Sequence, residues 1–330
     1  KKQAAKYGRR DSEHEFGTNP CSEIILRPYQ FCNLTEVVIR ADDTSESLTK
    51  KVRLATILGT AQSTLTNFPY LRKIWKDNTE EERLLGVSLT GIMDNSLTNG
   101  NKIYLPRILI KLREAAVETN KEWAKKLGIP PSTAITCVKP SGTVSQLVDS
   151  SSGIHARHSP YYIRTVRGDN KDPLTLFLKE QGVPSEADVM KPDTQTVFSF
   201  PVKSPDNALT RHDMSAIHQL EIWLYYQRYW CEHKPSVTVT VRDEEWMEVG
   251  AFVYKHFDEM SGVSFLPHSE HTYQQAPYQD CTKDVYDKLS GEFTHIDWAR
   301  LQDYEKEDTT NSSQTFACSG DSCEIVDIGG

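Results

Sequence analysis

The sequence predicts an α/β fold, with a mostly parallel sheet or barrel flanked by helices. Apolar residues recur at helical spacing in four long segments, and short β-like runs separate those segments. Strands that alternate with long amphipathic helices favour parallel pairing, because a parallel neighbour is reached only through a crossover of helix length. With 330 residues the chain can bury a sizeable core, as one large domain or as two smaller ones.

The first helix carries the stripe Leu48, Val52, Ala55, Leu58, Ala61 and Leu65. A second starts after Pro106, carries Leu109, Leu112, Ala116 and Trp123, and stops at Gly128 with Pro130 just beyond. Proline suits a first turn, where its missing N–H has no partner to lose, and glycine suits a left-handed end. A third helix runs from Met214 to about Cys231, with Ile217, Leu220, Trp223 and Leu224 on one side, and a fourth from about Glu244 to Met260. The strand candidates are Leu84 to Leu89, Ala134 to Val138, Tyr161 to Val166, Thr196 to Val202, Val237 to Val241 and Val263 to Leu266. From Asp308 the polar run through Gln314 has no periodicity and reads as a linker into Cys318-Ser319-Gly320-Asp321-Ser322-Cys323. The expected division is a folded part, 1–307, and a mobile tail, 308–330. No internal repeat is visible.

Composition excludes some classes of function. A net charge of −8 argues against broad binding to a nucleic-acid backbone, which needs a basic face. No apolar run approaches the roughly 20 residues that span a bilayer, and no signal peptide opens the chain, so no membrane partner and a cytoplasmic setting are expected. Seven cysteines, an odd number without a secretion signal, read as free or redox-active thiols. The chain opens on Lys1 and not Met, which reads as a fragment, a cut product or half of a split protein.

Several segments carry chemistry. Asn19-Pro20-Cys21-Ser22-Glu23 sets an amide, a thiol and a carboxylate at alternating positions; in an extended segment all three would point to one face. Such a set suits chemistry on a hydroxyl-bearing substrate, the carboxylate taking a proton while the sulfur does the harder step. A loop with a buried cysteine explains the spacing equally well. Pro140-Ser141-Gly142-Thr143-Val144-Ser145-Gln146 follows a strand candidate, and a strand-to-helix turn of this composition offers N–H groups and hydroxyls to an anion. A capped helix without a ligand is the plainer reading. Asp149 to His158 packs His155, Arg157 and His158 into four positions; no supporting ligand stands at metal-binding spacing, so no metal site is expected, and phosphate contacts and a bare surface loop both stay open. Cys318 and Cys323 place two thiols five apart on the tail, where a dithiol can reach a buried disulfide and later be exposed.

Asn-x-Cys-x-Glu, followed eleven residues on by Cys32 in Phe31-Cys32-Asn33-Leu34-Thr35-Glu36, resembles the finger-loop segment of ribonucleotide reductases. The turn at Ser141 to Ser145 resembles that family's substrate-phosphate turn, and the tail pair its C-terminal dithiol. The resemblance runs from about Gly8 to Cys323. It implies the second half of a ten-stranded α/β barrel with a central finger loop, 15–36, and a flexible C-terminal tail. It implies that Cys21 is the thiyl radical that abstracts the ribose 3′ hydrogen, that Glu23 is the base for the 3′ hydroxyl, and that Asn19 hydrogen-bonds the ribose hydroxyls. Cys32 would be one of two thiols oxidised as the 2′ hydroxyl leaves as water. Ser141, Gly142, Thr143, Val144 and Ser145 would bind the phosphates of a ribonucleoside triphosphate or diphosphate. Cys318 and Cys323 would re-reduce the active-site disulfide and pass the oxidation to thioredoxin or a similar dithiol reductant. The N-terminal half of the barrel, with the partner of Cys32, is not in the chain, so a companion is implied.

Reductases of this family differ in how the radical arises. The glycyl-radical type needs an Arg-Val-x-Gly-Tyr-like segment and a zinc-type Cys-x-x-Cys pair, and neither is in the sequence. The diiron-dependent type relays the radical through adjacent tyrosines after the last strand; Tyr225-Tyr226 sits on a helix with two strands still to come and reads as packing. The wording of the segments is most similar to the adenosylcobalamin-dependent, triphosphate-reducing branch, which implies adenosylcobalamin as cofactor. A diiron-type large subunit, a non-catalytic nucleotide-binding half and a plain dithiol oxidoreductase are the alternatives.

Overall fold

The computed structural model describes residues 1–268, 273–293 and 296–305, together with the backbone of a short antiparallel pair, Gln314–Thr315 with Ile325–Val326. Cys318 and Cys323 lie outside the described residues. The described chain divides into two compact units: Lys1–Arg157 with Asn207–His268, and His158–Asp206 with the described part of 273–305. Their strands are β1 (Gly17–Thr18), β2 (Ile25–Leu26), β3 (Asn33–Val38), β4 (Leu85–Thr90), β5 (Tyr161–Asp169), β6 (Ser185–Ala187), β7 (Gln195–Lys203), β8 (Val237–Val241), β9 (Val263–Pro267) and β10 (Tyr278–Asp280).

In the first unit β3 runs parallel to β4 and β8 parallel to β9. Every residue of β4 is buried, as a parallel strand covered on both faces requires. Isolated parallel bridges, Val87 to Thr136 and Val138 to Pro235, carry the ladder across the gap, so the run reads β3, β4, residues 134–138, β8, β9. The Ala134 to Val138 candidate is therefore a bridging segment and not a strand of its own. Its ladder is interrupted because the Thr136 carbonyl accepts the N–H groups of both Glu232 and His233. The outer members β3 and β9 each pair on one side only among the described residues. The parallel α/β character matches expectation; the sheets are small and do not close, so no barrel is seen.

The helices explain why the run is buried. Ser45–Gln62 starts at a capping box between Thr44 and Ser47, and Leu105–Leu127 ends on Gly128 in the left-handed region, φ 68°. The first packs against β3 and β4 and the second packs against the first, through Leu48, Val52, Leu105, Leu109, Leu112 and Ala116. The first helix departs from its stripe. Beyond Val52 its buried face passes through Thr56, Gly59 and Thr60, while Leu54 and Leu58 are 57% and 62% exposed. The third helix, Ala216–Tyr225, continues as a π-turn, Tyr226–Trp230, and drives Trp223, Tyr226 and Trp230 into the core. Tyr226 donates to the Thr98 carbonyl and Tyr225 stacks on Tyr229, which is packing and not a relay.

The second unit is antiparallel, in the order β10, β5, β7, β6, and has its own small core of Phe177, Leu178, Val183 and Phe198. Its alternating, half-exposed strands are what a sheet with one wet face shows. Helices Lys73–Glu82, Pro173–Glu180 and Lys283–Glu292 have no counterpart among the sequence expectations. No helix among the described residues is long and apolar enough to cross a membrane.

Candidate active site

The expected finger is a hairpin. β1 and β2 pair antiparallel with Thr18 opposite Ile25, and residues 19–24 form its tip. The Ser22 N–H donates to the Asn19 carbonyl at 2.9 Å, closing a turn with Pro20 at the position where its fixed φ fits. The Asn19 side-chain carbonyl accepts the Ile24 N–H at 3.0 Å and staples the loop shut. Ser22 takes φ 65°. The tip is thus turned and not extended, so the condition under which all three side chains would share one face is not met. Cys21 sits at the crest, half-buried.

Two buried residues that the motifs did not flag hold this hairpin. Arg10 makes a bidentate pair with Glu82, Nε to Oε1 at 2.7 Å and Nη2 to Oε2 at 2.8 Å, and donates to the Ile25 carbonyl at 2.8 Å. His233 Nδ1 accepts the Ile25 N–H at 3.3 Å while Nε2 meets the Leu85 carbonyl at 2.9 Å, so the ring ties the finger to β4. Desolvation, with Arg10 beside it, pushes the His233 pKa down to about 3. In the unfolded chain that ring titrates near its ordinary 6.5, so the folded state binds fewer protons between the two values. Stability is full above about pH 6.5 and falls as pH drops toward 3, by several kcal/mol. His233→Gln keeps an acceptor and a donor but does not titrate; urea midpoints measured from pH 7 to pH 4 are expected to fall less steeply in the variant than in the parent, and parallel slopes would refute the assignment.

Glu23 is the unusual group. Its side chain is completely buried and neither carboxylate oxygen has a hydrogen-bond partner; Lys139 Nζ stands 3.8 Å away. A buried carboxylate without donors is costly, so such a group marks function before packing. The main chain of Glu23 is fixed from the other side, its carbonyl accepting the Lys234 N–H at 3.0 Å.

Cys32 sits just before β3 and lines a cleft of about 240 Å³ with Phe31, Gln62, Ser63, Leu65 and Phe68. Burial, and then the charge of Glu23, pushes its thiol well above the ordinary range. Cys137, which the motifs did not flag, is fully buried and shifted the same way, with Glu23 and Cys32 among the causes. Both thiols are held as S–H at neutral pH. Gly86 on β4 marks how closely the finger is seated: a Cβ there would stand 2.9 Å from Ile24 Cδ1 and 3.4 Å from Cys137 Sγ.

The expected phosphate turn is only partly open. Ser141 and Ser145 are buried; the Ser141 hydroxyl donates to Glu36 at 2.6 Å and Ser145 Oγ lies 2.6 Å from Ser152 Oγ. Gly142, Thr143 and Val144 form an exposed crest. The helix after it, Val144–Leu147, is a single turn, so the crest's own amides and hydroxyls are what an anion would meet, with little help from a helix dipole. Arg157 and His155, left open as phosphate contacts, are committed elsewhere. Arg157 grips Asp94 with both Nε and Nη2 at 2.9 Å and Asp149 at 2.7 Å. His155 bonds the Ser152 carbonyl at 2.9 Å and accepts the Thr238 N–H at 3.1 Å. His158 belongs to the second unit, paired with Asp280 at 3.2 Å and stacked on Tyr278. No group of three or more metal-ligating side chains occurs among the described residues.

No family model matches the chain. Curated relatives do. An adenosylcobalamin-dependent ribonucleoside-triphosphate reductase of Lactobacillus delbrueckii subsp. bulgaricus is 31% identical over 307 residues, 84% of this chain and 41% of the relative. A probable enzyme of the same description from Dictyostelium discoideum is 28% identical and covers 94% of the chain and 40% of the relative; that of Euglena gracilis is 27% identical and covers 93% and 42%. A crystal structure of a B12-dependent (class II) ribonucleotide reductase superposes with a TM-score of 0.76 at 27% identity, covering 89% of this chain and 44% of that one. The chain spans about two fifths of the length of the curated relatives it matches.

Proposed function

From the premise that the homologues of this chain are adenosylcobalamin-dependent ribonucleoside-triphosphate reductases, we propose that it is the finger-bearing part of such an enzyme and reduces ribonucleoside triphosphates to 2′-deoxyribonucleotides. The observation that carries this reading is the hairpin that lifts Cys21 to its crest with the orphan carboxylate of Glu23 buried two residues on. Cys21, as the thiyl radical, takes the 3′ hydrogen atom; Glu23 accepts the 3′ hydroxyl proton; the 2′ hydroxyl leaves as water. Two thiols supply the hydrogens and become a disulfide, and Cys21 returns the 3′ hydrogen, so the sum is nucleotide plus two S–H giving deoxynucleotide, disulfide and water. A thiol kept protonated, as Cys32 is, suits hydrogen-atom donation better than nucleophilic attack. Gly142, Thr143 and Val144, with the Ser141 and Ser145 backbone beneath, would cradle the phosphates.

Adenosylcobalamin comes from the relatives' names. Its cobalt is carried in its own corrin, so it asks no cluster of metal-ligating side chains of the chain; bound, it would supply the radical that Cys21 carries. The open sides of β3 and β9 are where the remaining strands of a ten-stranded barrel would pair, supplied by an N-terminal half that also brings the partner thiol of Cys32. The described free thiols suit the reducing cytoplasm. The diiron alternative has no support at Tyr225 and Tyr226, which are packed in the helix.

The test joins this chain to the missing half and assays deoxynucleotide formation with adenosylcobalamin and a small dithiol; no product refutes the reading. In the same assay, changing both Cys318 and Cys323 to Ser is expected to abolish turnover driven by thioredoxin while turnover with the small dithiol persists, and equal loss with both reductants would rule out a relay by the tail.

A further inference from the structure

We propose that Lys139 is a positioning residue that shields the Glu23 carboxylate in the empty site and releases it when a polyphosphate occupies the neighbouring turn. The inference rests on the reading of Glu23 as base and of Gly142 to Val144 as phosphate crest. The Lys139 side chain is 36% exposed while that of Glu23 is completely buried, so the ammonium reaches from solvent down to the carboxylate. At 3.8 Å the pair is held by charge and not by a hydrogen bond, a contact that a stronger anion can take over.

The main chain of Lys139 cannot follow such a move. Its N–H donates to Ser88 Oγ at 2.9 Å, Ser88 donates to Glu36 at 3.3 Å, and Glu36 accepts the Ser141 hydroxyl at 2.6 Å. Only the side chain is left to swing. The exposed crest begins three residues on, at Gly142. A polyphosphate there carries several negative charges against the single charge of Glu23. The other titratable groups near Glu23 are Lys234, Cys32, Cys137 and Glu36. Of the two lysines Lys234 is buried, with its N–H on the Glu23 carbonyl, and only Lys139 reaches solvent. The carboxylate is thus covered until the phosphates of a correctly seated nucleotide draw the ammonium away, which registers the ribose end and the phosphate end of the substrate through one residue.

The experiment uses the full chain labelled with ¹³C at the glutamate carboxyl carbons, the Glu23 resonance being assigned with Glu23→Gln, and inorganic tripolyphosphate as the probe. Amide resonances of Gly142 to Val144 report whether the probe binds at the turn. The expected result is that the Glu23 resonance moves together with those amides in the parent and in Lys139→Arg, and stays still in Lys139→Met, which binds the probe about tenfold more weakly, the worth of one charge-assisted contact. A Glu23 response in Lys139→Met equal to that of the parent, or moving amides with a still Glu23 in the parent, overturns the proposal alone. If tripolyphosphate leaves the crest amides untouched, the phosphate-turn reading falls and takes this proposal with it.

Discussion

Cys21→Ser is expected to leave the chain folded and to end nucleotide reduction by the completed enzyme of the proposed reading. Sulfur and oxygen differ little in size, and Cys21 stands half-buried on a turn whose closing bonds come from Asn19, Ser22 and Ile24, none of which uses the thiol. The thermal midpoint is therefore expected to stay within a few degrees of the parent. Chemistry is another matter. An alkoxyl radical is much harder to generate than a thiyl radical, and a group whose removal stops the reaction at its first bond cleavage leaves nothing for its neighbours to do. Loss of at least about 10⁴-fold in deoxynucleotide formation is expected, measured by chromatography of the product with the completed enzyme. A variant with a tenth of the parent's rate would remove Cys21 from the reaction centre.

Glu23→Gln separates stability from activity. The parent side chain is buried with no donor to either oxygen and one ammonium at 3.8 Å, which is a poor environment for a charge. Replacing the carboxylate with a neutral amide of the same shape removes the cost of a buried charge, so the free energy of unfolding from urea titration is expected to rise, by about 1 kcal/mol. The same change removes a proton acceptor, and turnover is expected to fall by roughly 10²–10⁴-fold, the usual worth of a general base. The two measurements run in opposite directions only if Glu23 is kept for chemistry. A variant that is both less stable and still active would make Glu23 a structural residue.

How far the sequence reached depended on whether a feature was local. Gly128 ended its helix and Pro106 began it because caps act within a turn, and β8 matched its run of alternating valines. The finger was recognisable from Asn19, Cys21 and Glu23, but alternation alone left its shape open, and Pro20 with the Asn19 side chain makes it a turn. β3 escaped notice because only Val37 among its six residues is buried, leaving no period to read. Helix Lys73–Glu82 escaped for a similar reason: its sequence is mostly charged, and it is held by Glu82 on Arg10, a pair 72 residues apart. His233 and Glu36 act through partners at distances no spacing rule covers. Lys139 was legible only as the residue before a recognised turn; its bearing on Glu23 needs the fold.

The one-sided pairing of β3 and β9, together with Leu54 and Leu58 standing exposed on the first helix, bears on the life of the chain before any catalysis. A bare strand edge is a template for whatever extended segment arrives first, including a second copy of itself. A segment that paired with those edges would therefore also act as a folding partner, competing with self-association. Edges that are covered early would keep more of the chain from aggregates than edges left bare.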